Sequence, residues 1–132
     1  MSRRNGRVLA FQGLYSWDVG GVSVEDILTF SWVESEDPEA QTFASLVIPG
    51  TVEHIDEINK IISCHLSATW SMERINKVTL AILRCGVYEL KFQSDVDAKV
   101  VIDEFVEISK KYGEDGAFRF VNAILDNISK EK

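Results

Sequence analysis

The chain has 132 residues, of which 45% are hydrophobic and 27% charged, a size and composition that suit one globular domain without disulfides or structural metals. No apolar run approaches the ~20 residues of a membrane span, and no hydrophobic segment follows the Met-Ser-Arg-Arg start, so we expect neither membrane insertion nor secretion. Cys64 and Cys85 lie far apart and outside any CxxC motif, as is typical of a reduced cytoplasmic protein.

The apolar spacing predicts helices along the whole chain. Residues 4–18 predict an amphipathic first helix, in which the apolar residues at spacings of three and four are Val8, Phe11, Leu14 and Tyr15. This helix ends at Gly20-Gly21, and Ser23 caps a second helix that extends to Trp32. Residues 38–67 predict one long helical stretch, kinked or broken near Pro49.

The second half of the chain predicts three further helices. Turns at Ser67–Ser71 and Ser94-Asp95 enclose a helix over 75–92, which is apolar around most of its circumference and is therefore the central one. The next helix is capped by Asp97 and ends at Gly113 as a C-terminal glycine, and the last begins near Asp115. The prediction is an all-α fold, a compact bundle of six or seven helices over residues 1–132.

The sequence contains no catalytic or metal-binding motif. His54 and His65 lie eleven residues apart, about 16 Å along a helix and too far to share a metal ion. No glycine-rich phosphate loop or nucleophile motif is present. We therefore expect no cofactor, and an enzyme of unknown type stays only as an alternative class.

The charge distribution points to the N-terminus. The net charge is −7, yet residues 1–7 carry +3, residues 8–59 carry ten acids without a Lys or Arg, and residues 60–132 are balanced. Arg4 and Arg7 continue the apolar arc of the first helix, and arginines cannot lie unpaired in a core. We therefore expect the helix start to project and to offer Arg3, Arg4 and Arg7 to nucleic-acid phosphates. The alternatives are a solvated chain end, or neutralisation by the acids of 8–59.

The last helix carries a second candidate feature, the sequence Phe118-Arg119-Phe120. The helical spacing predicts that Phe118 belongs to the core face and that Phe120 lies at its edge, with Arg119 pointing away. An edge aromatic beside an arginine can stack on an unpaired base, although edge aromatics also commonly complete a core.

Four ordered segments resemble the bacterial NusB family of transcription antitermination factors. The first is Arg-Arg-Asn-Gly-Arg-Val-Leu-Ala-Phe-Gln-Gly-Leu-Tyr-Ser-Trp-Asp at 3–18. The second is 78–90, with Ala-Ile-Leu-Arg at 81–84 and Tyr-Glu-Leu at 88–90. The others are Ile-Asp-Glu at 102–104, followed by Lys-Lys-Tyr-Gly at 110–113, and Phe-Val-Asn-Ala-Ile-Leu-Asp at 120–126. The resemblance covers essentially the whole chain.

This resemblance implies two helical halves and no enzymatic activity. It implies a heterodimer with a small-subunit ribosomal protein called NusE, which binds the single-stranded boxA sequence of nascent ribosomal RNA and helps the RNA polymerase complex to resist termination. By position it implies RNA contacts at Arg3, Arg4, Asn5, Arg7, Arg119 and Phe120, and partner contacts at Tyr15, Glu73 and Thr79. A monomer and a homodimer both stay open. The alternative is an adaptor for structured ribosomal RNA, related to the N-terminal domain of rRNA cytosine methyltransferases.

Overall fold

The structure is a computed structural model that describes residues 2–67, 70–93 and 95–131. Within these ranges it contains no strand. Its helices are α1 (Ser2–Gly20), α2 (Val24–Ile27), α3 (Pro38–Glu53), α4 (Ile55–Ser63), α5 (Lys77–Phe92), α6 (Ala98–Tyr112) and α7 (Ala117–Ser129), with a 3₁₀ turn at Met72–Arg74. The predicted all-α class is confirmed. Ala68, Thr69 and Ser94, which belong to two predicted turns, lie outside the described residues.

Helix α5 lies at the centre of the bundle, as its apolar circumference predicts. It packs against α1, α3 and α4 on one side and against α6 and α7 on the other. Asn76 caps its start by accepting hydrogen bonds from the backbone N–H groups of Val78 and Thr79. Every residue from Thr79 to Val87 is buried. Because α5 contacts both sides, it joins the two groups of helices through one hydrophobic core.

Two boundaries differ from the prediction in the first half of the chain. The second helix is a single turn, because the backbone of Phe30 has a left-handed φ of 54° that a helix cannot continue. Trp32 lies beyond it, and its indole N–H donates to the Ile27 carbonyl at 3.0 Å. Helix α3 runs through Pro49, and the chain breaks five residues later at His54 (φ −104°, ψ 21°). The His54 ring stacks on Phe92 of α5 at 4.2 Å, a contact that fixes the position of this break.

At the junction between α6 and α7, the backbone conformation of the terminal glycine differs from the prediction. Gly113 ends α6 as predicted, but its backbone is extended (φ −84°, ψ 171°) instead of left-handed. A Cβ there would lie 2.7 Å from the Ser109 carbonyl oxygen, which explains the glycine. The left-handed residue is Gly116, with φ 80°, which directly precedes α7 and is separated from Gly113 by Glu114 and Asp115.

No helix in the described part of the chain has both the length and the apolar character needed to cross a bilayer. The same residues contain no group of three or more His, Cys, Asp or Glu side chains placed to hold a metal ion.

The close packing of α1 on α3 requires a glycine at position 6. A Cβ built on Gly6 would lie 2.7 Å from Cδ2 and 2.8 Å from Cβ of Phe43. We expect Gly6→Ala to lower the free energy of unfolding by about 1–3 kcal/mol, because the overpacking outweighs the better helix propensity of alanine. Urea denaturation measures the change.

Gly20, at the other end of the same helix, provides the matched control. A Cβ there would meet only a methyl group of Val22, at 3.6 Å. Gly20→Ala should therefore leave the stability unchanged or raise it by up to about 1 kcal/mol. Equal stability of the Gly6→Ala variant and the wild type would contradict the packing argument.

Candidate RNA-binding surface and partner face

Arg4 is held at the surface by a carboxylate of α6. Its Nε and Nη2 atoms donate to the two oxygens of Glu104 at 2.9 and 2.7 Å. The hydrogen bond from Arg4 lowers the pKa of the Glu104 carboxyl, which stays ionised. The Arg4 side chain remains 50% exposed, so the guanidinium is oriented by the protein and still open to solvent.

Arg7 is buried, contrary to the expectation that the start of α1 projects as a cationic stripe. Its side chain is 3% exposed, and its Nε and Nη2 donate to Glu89 of α5 at 2.8 and 2.9 Å. The guanidinium also lies 5.2 Å from the ring centroid of Phe43 and 6.0 Å from that of Phe105. The expectation that Arg7 is offered at the surface is therefore wrong, because its guanidinium is held inside the protein by Glu89.

The other two predicted residues of the N-terminus are exposed. The Arg3 guanidinium lies 5.7 Å from the ring centroid of Phe43, on the outer side of α1. The Asn5 amide donates to Asp37 at 3.1 Å, and Asp37 also caps α3 by accepting from the Ala40 N–H. Asn5 thus links α1 to the acidic loop that precedes α3.

A groove of about 570 Å³ begins at this end of α1 and runs along α6; we call it the α1–α6 groove. It combines cations, an aromatic and apolar side chains at one surface. Those that the argument uses are Arg4, Asn5, Val8, Lys110, Lys111 and Tyr112. The sequence does not indicate that Lys110 and Lys111 belong to this site. They are far from Arg4 in the chain, and only the packing of the helices brings them to the same groove.

A second groove of about 490 Å³, the α6–α7 groove, continues from the first. The two share Glu107 and Lys110. Arg119 lines the second groove, as does Phe118, which is outside the core cluster. Phe120 is half-buried and packs against the core. The predicted core role of Phe118 is therefore wrong, because Ala117 takes the buried position at the start of α7.

One of the three predicted partner residues, Tyr15, lines a third groove of about 320 Å³, the α1–α5 groove. Tyr15 lines it together with Gln12, Val78 and Tyr112. Glu73 is exposed in the 3₁₀ turn just before α5. Thr79 is buried, with 3% of its surface exposed, so its side chain cannot face a partner. Its neighbour Val78 lines the groove instead.

Tyr112 links the first and third grooves. It lines both, is 38% exposed, and its ring lies 5.4 Å from that of Phe11 on α1. The α1–α6 groove, which carries the cations, and the α1–α5 groove, which we also call the Tyr15 surface, therefore meet at one aromatic side chain. The sequence shows a Lys-Lys-Tyr motif at 110–112 but gives no signal that its tyrosine borders both surfaces.

The sequence model of the NusB family matches residues 4–130. This chain belongs to the NusB family. It is 43% identical to the transcription antitermination protein NusB of Treponema denticola, over 99% of this chain and 98% of that protein. It is 41% identical to the protein of the same name from Borreliella burgdorferi, over 94% of this chain and 91% of that protein.

Solved NusB structures share the fold. T. maritima NusB superposes with a TM-score of 0.87 at 37% identity, covering 98% of this chain and 91% of that one. A structure of the antitermination factors NusB and NusE in complex with dsRNA contains a chain that superposes with a TM-score of 0.87 at 32% identity, covering 98% of this chain and 96% of that one. The chain is a transcription antitermination factor of the NusB family and not an enzyme.

The buried pair of Arg7 and Glu89 should contribute far more to stability than the surface pair of Arg4 and Glu104. Arg7→Ala leaves the Glu89 charge buried without its partner, and we expect a loss of about 3–5 kcal/mol in the free energy of unfolding. Arg4→Ala, the matched control in the same helix, should cost under about 1 kcal/mol because its pair is exposed. Urea denaturation of both variants gives the comparison.

The loss in the free energy of unfolding caused by Arg7→Ala should be smaller at acidic pH than at neutral pH. Burial already raises the pKa of Glu89, and the hydrogen bond from Arg7 is the main opposing effect. Without Arg7 the folded-state pKa rises further above its unfolded value, so protonation stabilises the folded variant as the pH falls. Equal losses for Arg4→Ala and Arg7→Ala at neutral pH would contradict the assignment.

Proposed function

We propose that this NusB-family protein binds single-stranded boxA-type RNA of nascent ribosomal transcripts as a heterodimer with the small-subunit ribosomal protein NusE. In this proposal the pair supports antitermination by the RNA polymerase complex. The observation that carries it is the continuity of the three grooves, which join exposed arginines, lysines and aromatics to the Tyr15 surface through Tyr112.

The cations of the first two grooves suit a phosphate backbone. Arg4 is exposed at one end and Arg119 at the other, with Lys110 and Lys111 between them. Arg3 is exposed at the same end of α1 as Arg4 but outside both grooves. Arg4 and Lys110 are each paired with a carboxylate at the surface, and such pairs stabilise a fold by under about 1 kcal/mol. A phosphate can therefore replace the carboxylate at little cost, and the released counterions make binding dependent on salt.

Asn5 and Phe120 belong to the same proposed RNA surface. Asn5 lines the α1–α6 groove beside Arg4 and can offer its amide to a base edge. Phe120 is half-buried, so only its exposed part is open to stacking. Arg7 has no direct RNA contact in this proposal. It fixes the position of α1, and through it the positions of Arg3 and Arg4.

The Tyr15 surface suits a protein partner. A half-exposed aromatic in a groove is a typical anchor of protein interfaces. Glu73 and the segment 8–59, which contains ten acids and no Lys or Arg, provide negative charge that complements a basic ribosomal protein. The solved relative that contains both NusB and NusE supports the identity of this partner.

The RNA surface is tested by fluorescence anisotropy with a boxA-type strand, a scrambled strand and a boxA duplex, each with and without NusE. We expect the boxA strand to bind most tightly and NusE to strengthen its binding. Arg3→Ala/Arg4→Ala should weaken binding at least tenfold and reduce the slope of log K against log salt by about 0.7 for each lost phosphate contact.

Lys60→Ala/Lys130→Ala provides the matched control, because it removes the same charge from exposed positions outside the three grooves. It should leave both affinity and salt slope close to those of the wild type. Equal losses in the two double variants would mean that only net charge matters, and would argue against a defined RNA surface.

The partner face is tested with Tyr15→Ala. Removal of this anchor should raise the Kd for NusE by about 10- to 30-fold, the size typical of an interface hot spot. Val100→Ala is the control, because Val100 is 47% exposed on α6 and does not line the α1–α5 groove. Isothermal titration calorimetry measures both. A NusE affinity unaffected by Tyr15→Ala would place the partner on another face.

The anisotropy measurements with the boxA duplex also test the alternative function, an adaptor for structured ribosomal RNA. A solved NusB relative is in complex with dsRNA, which is the observation that favours this alternative. Tighter binding of the duplex than of the boxA strand, unaffected by NusE, would support the adaptor.

A homodimer in the absence of RNA stays a prediction, which light scattering on the same samples measures.

A further inference from the structure

Phe118 lies outside the hydrophobic core, whereas its neighbours on one face of α7 are buried. The buried residues of α7 are Ala117, Val121, Ile124, Leu125 and Ile128. At 100° per residue, Phe118 and Phe120 lie on opposite sides of this face, each about 80° from its centre. Phe120 packs against the core cluster, whereas Phe118 lines the α6–α7 groove and is half-buried there.

Two cations lie against the Phe118 ring. The Arg119 guanidinium carbon is 5.0 Å and the Lys110 ammonium nitrogen 5.1 Å from the ring centroid. Both residues are exposed, so the two cations are open to solvent. An aromatic ring with adjacent cations is the combination that holds an unpaired base together with its phosphate.

The ionisable residues that line the α6–α7 groove are two carboxylates and two cations. Its two carboxylates are each paired with a lysine: Asp103 with Lys99 at 3.3 Å and Glu107 with Lys110 at 3.0 Å. Among residues 2–67, 70–93 and 95–131, no ion pair involves Arg119. Of the two lining cations, Arg119 is therefore available to an anionic group, and the continuity of this groove with the α1–α6 groove favours the same RNA strand as its ligand.

We propose that Phe118 is a stacking platform for one unpaired base of the bound RNA, with Arg119 contacting the adjacent phosphate. This inference rests on the proposed RNA binding and adds a contact to it, separate from that of Phe120. Asn122, exposed one helical turn further along the same groove, can offer an amide to the edge of the stacked base.

The experiment uses the full chain with boxA-type strands that carry 5-iodouridine at one position at a time, a base that cross-links to a stacked aromatic ring on irradiation. Trypsin cleaves after Lys111, Arg119 and Lys130, so peptide 112–119 contains Phe118 and peptide 120–130 contains Phe120. We expect cross-linking to peptide 112–119 from one position of the strand. Phe118→Leu should abolish this cross-link, which excludes Tyr112 of the same peptide as its source.

Affinity provides the second readout. Phe118→Leu should weaken binding of the boxA-type strand by about 5- to 150-fold, the range for loss of one stacked base, and Phe118→Tyr should restore it. Because Phe118 is outside the core, urea denaturation should give both variants the stability of the wild type. A loss of affinity without a loss of stability distinguishes a contact with RNA from a structural role.

The outcomes separate this inference from the proposed function. Wild-type affinity in Phe118→Leu, with no cross-link to peptide 112–119 and a normal loss in Arg3→Ala/Arg4→Ala, would overturn the role of Phe118 and leave the RNA surface intact. A wild-type chain that binds no RNA strand, with or without NusE, would overturn both. A cross-link to peptide 112–119 that persists in Phe118→Leu would assign the stacking to Tyr112 and overturn the inference.

Discussion

The ion pair between Arg7 and Glu89 fixes how the N-terminal helix sits on the rest of the protein. Both side chains are almost fully buried, and the two hydrogen bonds allow one orientation of the guanidinium. A buried pair of this kind need not add net stability over apolar residues, because desolvation of both charges is costly. It specifies position instead, since a shift of α1 by one residue along α5 would leave two charges buried without partners.

The position of α1 in turn determines the geometry of both candidate surfaces. Arg4 and Tyr15 belong to the same helix, eleven residues and about 16 Å apart, so a rigid element carries one residue of each surface. Tyr112 of α6 lies where the two surfaces meet. In the proposed function, a partner that packs on Tyr15 would also lie against Tyr112, which lines the α1–α6 groove as well. The expected effect of NusE on RNA affinity would then pass through this shared side chain, without any change of fold.

Helix identity could be predicted from local sequence, and tertiary pairing could not. The periodicity of α1, α5 and α6 and the cap at Asp97 depend on residues a few positions apart, which the sequence displays directly. The burial of Arg7 depends on Glu89, 82 positions later. An arginine cannot lie unpaired in a core, and Arg7 meets this rule because Glu89 is its partner. Phe118 is a different case, since the helical phase of α7 already places it about 80° from the centre of the buried face.

The acids that pair with the N-terminal arginines also could not be predicted from local sequence. The segment 8–59 is the obvious source of negative charge in the sequence, yet Glu89 and Glu104 of α5 and α6 hold Arg7 and Arg4. Within that segment, Asp18 pairs with Arg84 at 3.1 Å and Asp37 binds Asn5 and caps α3. The carboxylates in the ion pairs of Arg4 and Arg7 therefore come from α5 and α6, although Asp37 of the acidic segment also lines the α1–α6 groove. A net charge of −7 is thus compatible with a local group of exposed cations at Arg4, Lys110 and Lys111, because net charge does not determine how the charges are distributed over the folded surface.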